Sequence, residues 1–148
     1  MTQLKSVVIV IAVMIGSALY GIQDQTGLFD GFSSTDDNPN SAIHSAYEKQ
    51  QSDVLVVGYG QVTRVLRDDL KGSRHQRFIL TLPTGMTVLV AHNIDLAPRI
   101  QDLKAGDKVS FQGEYEWNKK GGVVHWTHHD PAGRHPGGWL EHYGKRYE

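Results

Sequence analysis

Cysteine is absent from the 148 residues. That excludes disulfides, thiolate metal sites, a cysteine nucleophile and a lipid-modified N-terminal cysteine. Net charge is scarce too: the formal value is −1 at pH 7, so no global basic field argues for nucleic acid. The charge is unevenly spread. Residues 23–52 carry five acids and one base, net −4, and residues 53–148 carry eleven acids and thirteen bases, net +2. A mildly basic domain therefore follows an acidic spacer, far short of a polybasic surface. The length suits one domain and little more. What the chain has in quantity is histidine: eight, six of them after Val90.

The N-terminus pairs Lys5 with an apolar run from Val7 to Ile22, broken only by Gly16, Ser17, Tyr20 and Gly21. A positive start before such a run is the pattern of a secretory signal, and Gly16 and Ala18 supply small residues for cleavage after Ala18. The competing reading is a retained anchor. About 16 residues at ~1.5 Å each cover ~24 Å, short of the ~30 Å hydrocarbon core. Either way residues 1–22 predict export, with the rest of the chain periplasmic, anchored at the inner membrane facing the periplasm, or secreted. The spacer, residues 23–40, is rich in Asp, Ser, Gly, Asn and Gln. Asn38-Pro39 predicts a helix start, with a short helix through about Gln51 that carries Ile43, Ala46 and Tyr47 on one face.

From Asp53 the pattern switches to period two. Strands are expected over Val54–Leu66 (bent at Gly58 and Gly60), Arg74–Leu82, Met86–Asn93, Lys108–Asn118 and Val123–Asp130. A short helix or loop fills Ile94–Leu103. The order β-β-β-α-β-β is that of a mainly β, five-stranded OB-like barrel over residues 53–148, with a small sandwich as the alternative.

That topology makes specific pairings. A turn at Pro83-Thr84-Gly85 sets Leu80 opposite Val88, Phe78 opposite Val90, Gln76 opposite His92 and His75 opposite Asn93. The third and fifth strands of an OB barrel run parallel, which brings His92 towards residues 125–130. Pairing Trp117 with Val124 in the last hairpin points Val124, Trp126, His128 and Asp130 inwards and His125, Thr127 and His129 outwards. A one-residue slip exchanges the faces.

The segment His125-Trp126-Thr127-His128-His129-Asp130-Pro131-Ala132-Gly133-Arg134-His135-Pro136-Gly137-Gly138-Trp139 is the most distinctive. Neutral imidazoles and a carboxylate suit zinc and other divalent transition metals. The candidate metal ligands are His75, His92, His125, His128, His129, Asp130 and His135. Gln76, Arg77 and Arg134 are the candidate ligand-binding residues. The spacing fits no standard closed zinc template, and Asp130-Pro131 and Gly133 equally form turns.

Three stretches carry a resemblance: Gly72-Ser73-Arg74-His75-Gln76-Arg77-Phe78, Ala91-His92-Asn93-Ile94-Asp95-Leu96-Ala97-Pro98-Arg99, and Gly113-Glu114-Tyr115-Glu116-Trp117-Asn118 through Gly138-Trp139. Over about residues 54–148 the chain resembles an uncharacterised family of short exported bacterial proteins, a domain of unknown function. The resemblance implies a bacterial source and an envelope or secreted location, and it carries no activity or site residues. Three functions are expected. The first is a non-catalytic module binding a metal, a small ligand, an oligosaccharide or an oligonucleotide. The second is a metal-dependent hydrolase, such as a nuclease. The third is an envelope adaptor. The membrane is a partner only if the N-terminal segment is retained.

Overall fold

The computed structural model describes residues 38–148. The N-terminal signal or anchor segment and most of the acidic spacer lie outside the described residues.

Helix α1 spans Ser41–Glu48 and buries Ile43 and Ala46, with Tyr47 packed beside the core. This is the expected apolar face. The start differs from the expectation: Asn40, not Asn38, is the cap residue. Asn38 instead accepts the Asn40 amide at 3.0 Å, and the Asn40 side chain turns away to accept the amide of Tyr59 at 3.0 Å. The capping oxygen is thus used to tie the helix to the barrel wall.

Seven strands follow: β1 Val54–Val65, β2 His75–Thr81, β3 Thr87–Asn93, β4 Lys108–Glu116, β5 Val123–His125, β6 Trp139–His142 and β7 Lys145–Tyr147. Their order is β1-β2-β3-β5-β4-β6-β7, with β1 also pairing β4. β1, β2, β3, β5 and β4 therefore close the OB-like barrel, and β6 and β7 continue the sheet from β4. Closure depends on β1 changing partner. Its first part pairs β4, from Val54 with Tyr115 to Gln61 with Lys108. Its second part pairs β2, from Gln61 with Thr81 to Val65 with Phe78. A side chain at Gly60 would place Cβ 2.8 Å from the Thr81 carbonyl oxygen, so the bend needs glycine there.

Alternation supplies the core. Val109, Phe111 and Tyr115 of β4 point inwards against Val56, Phe78, Leu80, Val88, Val90 and Val124, all essentially buried. Each large apolar side chain contributes roughly 2 kcal/mol by leaving water. The β2–β3 register pairs His75 with Asn93, Gln76 with His92, Phe78 with Val90 and Leu80 with Val88, as expected. β3 and β5 are parallel, also as expected.

Three expectations are corrected. No helix forms between β3 and β4; residues 94–107 make turns. The segment is pinned from beneath, because Gln76 Nε2 donates to the Ile100 carbonyl and Ile100 N donates to Gln76 Oε1, both at 2.9 Å. The last hairpin pairs Tyr115, not Trp117, with Val124. The two-residue offset arises because Trp117 leaves the sheet to donate its amide to Ser52, while Asn118 Oδ1 accepts the amides of Lys120 and Gly122 and widens the turn. Finally, β5 stops at His125, because Trp126 has φ 55° and breaks the alternation. Thr127 then points inwards, and it is Thr127, not His128, that fills the space beside Gly113.

Candidate metal centre on the outer barrel wall

The inward polar pair of the β2–β3 ladder is fully engaged. His92 Nε2 donates to the Pro98 carbonyl at 3.0 Å, so its Nδ1 accepts from the Thr127 hydroxyl at 2.8 Å. Burial, reinforced by nearby His128 and His75, outweighs these bonds and lowers the imidazole to about 4. Gln76 and His92, both wholly buried, together stitch residues 98–100 to the barrel. His75 holds the Ser73 carbonyl at 2.8 Å through Nδ1. Arg77 donates twice to the Arg67 carbonyl, at 3.1 and 3.0 Å.

The distinctive segment folds back across the outer face of β4 and β5. Asp130 organises it: Oδ1 accepts the amide of Ala132 at 3.0 Å, and Oδ2 accepts those of Arg134 and His135 at 2.7 and 2.9 Å. These three amides, aided by the Arg134 charge and opposed by burial, hold its carboxyl below the ordinary range. The chain then returns through Gly137, whose carbonyl accepts from Gln112 at 2.7 Å. Gly138 donates its amide to the His128 carbonyl at 2.8 Å. A Cβ at Gly138 would lie 2.0 Å from the Trp126 carbonyl oxygen and 2.6 Å from that of Gln112, which explains glycine at this contact. His128 is buried and donates Nδ1 to the His129 carbonyl at 2.8 Å. His129 and Arg134 are exposed.

The result is a cluster of acids and imidazoles on the outer wall. Glu114 and Glu116 project outwards from β4, and His125 projects outwards from β5, directly opposite Glu114. His125 Nε2 lies 3.6 Å from Glu114 Oε1 and 3.4 Å from Glu116 Oε1. One donor atom from each of the three lies within 4.8 Å of the others. Donors around a tetrahedral zinc at bond lengths of about 2.0–2.2 Å stand roughly 3.4 Å apart, so these two separations fit such an ion. The other oxygen of Glu114 accepts from His135 Nε2. His135 Nδ1 also donates, to the Pro136 carbonyl at 2.7 Å. Partial burial opposes charge on His135. The Glu114 hydrogen bond, the Pro136 carbonyl and the charges of Glu114 and Asp130 outweigh it, so the imidazole is held above its ordinary value. The Trp126 ring packs against His135 and His128, at 4.2 and 5.1 Å between centroids. Its Nε1 is buried without a hydrogen-bond partner, and its left-handed backbone adds to the local cost.

Of the expected metal ligands, His125 joins this cluster directly and His135 borders it. His75, His92, His128, His129 and Asp130 lie elsewhere in the pattern just described. Sequence reasoning passed over Glu114 and Glu116. Both alternate onto the outer face of β4; the expected register would set His125 opposite Glu116, whereas the observed one sets it opposite Glu114.

Fold and cluster together define a small OB-like barrel with a candidate three-residue metal site on its outer wall. Residues 28–148 match the family described as protein of unknown function (DUF3465), and the chain belongs to that family. No curated protein matches the chain.

Proposed function

We propose that the protein is a non-catalytic, divalent-metal-binding module of the bacterial cell envelope. The observation that carries this is the convergence of Glu114, Glu116 and His125, with donor separations suited to a single ion. Two carboxylates and an imidazole favour zinc or another borderline divalent transition metal over calcium, which takes six or more oxygens. The apolar run Val7–Ile22 after Lys5 supports the envelope assignment, since it has the form of an export signal. The family match begins beyond that run.

The test is elemental analysis and zinc titration of protein purified without a histidine tag. One equivalent of metal is expected, lost in Glu114→Gln and in His125→Ala and kept in His92→Asn. A wild-type protein that takes up no divalent ion overturns the proposal.

The hydrolase reading draws on one specific observation: three protein donors leave a fourth position for water, as catalytic zinc sites do. Metal-loaded protein that cleaves DNA, RNA or glycan, with the cleavage lost in His125→Ala, would establish it in place of the binding module.

A further inference from the structure

We propose that His135 is the positioning residue of this site, acting on Glu114 from outside the coordination sphere. The inference rests on the metal reading above and adds the residue that preorganises it. Glu114 divides its oxygens: Oε1 lies 3.6 Å from His125 Nε2, and Oε2 accepts from His135 Nε2. The second nitrogen of His135 faces the Pro136 carbonyl. Both partners are acceptors, so both ring nitrogens donate and neither keeps a lone pair for an ion. His135 therefore holds the carboxylate while His125, Glu114 Oε1 and Glu116 face the metal. Ligating carboxylates are commonly oriented in this way, because an unheld glutamate must give up rotamer freedom when the ion arrives.

His135 is itself held from three sides. Asp130 fixes its backbone through the amides of Arg134 and His135, the Trp126 ring lies 4.2 Å away against its imidazole, and Gln112 anchors the following Gly137. The chain of command runs from Asp130 to His135 to Glu114 to the ion. It assigns a purpose to the conformation of the whole 126–138 loop.

Cobalt(II) spectroscopy and zinc competition titrations on the full-length chain separate the roles. His135→Ala should weaken binding by about 10–100-fold, the usual effect of losing such a partner. The cobalt d–d band positions and intensities should stay those of wild type, because the ligand set is unchanged. His135→Gln, whose amide still donates to Glu114, should recover affinity to within a few-fold. Asp130→Ala should match His135→Ala, and the double variant should be no weaker than either alone. A changed cobalt spectrum in His135→Ala would make His135 a ligand and overturn the proposal, as would unchanged affinity in both His135 variants. Either result leaves the metal site standing. If the wild type binds no cobalt or zinc, the site and its positioning residue fail together.

Discussion

The imidazole of His92 and the hydroxyl of Thr127, 35 residues apart in sequence, meet at 2.8 Å inside the barrel. Burial outweighs this bond and the one to the Pro98 carbonyl on the other nitrogen, so the ring is held neutral, lowered to about 4 from an ordinary 6.5. The unfolded chain takes up this proton first as pH falls. Stability is therefore complete above pH 6.5 and declines as pH drops from 6.5 to 4, by on the order of 3 kcal/mol for this wholly buried group. Urea unfolding between pH 4 and 8 should show the decline, and His92→Asn should flatten it. A wild-type profile level across that interval would contradict the account.

Gln76 makes two reciprocal bonds to the backbone of Ile100 from a fully buried position. Gln76→Ala leaves one buried donor and one buried acceptor unpaired and opens a cavity, at a cost of about 2–4 kcal/mol. Amide exchange should accelerate first in residues 99–103, which this side chain pins. Equal protection of that segment in the variant would show the clamp to be redundant.

The glycines of the loop should differ sharply. Gly138→Ala puts Cβ against two carbonyl oxygens, whereas Gly133 has nothing within 4 Å of its Cβ position and only a φ of 63° to defend. Gly133→Ala should cost about 1 kcal/mol. Gly138→Ala should cost several-fold more and weaken metal binding by dislodging the chain that carries His135. Thermal melts and zinc titration of both variants check this, and similar losses in the two would refute it.

Asp107 joins the β6–β7 hairpin to the barrel. It accepts from His142 Nε2 and from the Tyr143 hydroxyl, each at 2.9 Å. Desolvation opposes its charge, but the Tyr143, Lys104 and His142 bonds prevail and hold the carboxyl below its ordinary value. Its contribution is present above the ordinary carboxylate range and is lost as pH falls through the lowered value. Asp107→Asn should raise amide exchange in residues 139–147 while leaving β1–β3 protected. Uniform destabilisation across the barrel would show the hairpin to be inseparable from it.

Much of the barrel was legible because alternation and turn chemistry are local. Val109, Phe111 and Tyr115 declare an inward face within nine residues, and Pro83-Thr84-Gly85 sets a register that puts Gln76 opposite His92. The metal cluster was not legible in this way. Glu114 lies opposite His125 only because Trp117 leaves the sheet early, and His135 arrives only because Asp130 gathers three amides behind it. The conformation of Trp126 is equally hidden, since a left-handed aromatic residue runs against local preference and survives because its surroundings require it.

The amino-acid order alone determined the core face of β4, the bend of β1 at Gly60 and the β2–β3 register, because side-chain periodicity and glycine geometry act over a few residues. The tertiary structure decided which polar groups meet. The inward histidine is consumed in holding the fold, while two glutamates and His125 come together on the outer wall. That outcome depends on register and on a loop crossing other strands, so it is set by contacts distant in sequence, where a shift of two residues keeps every face and changes every partner.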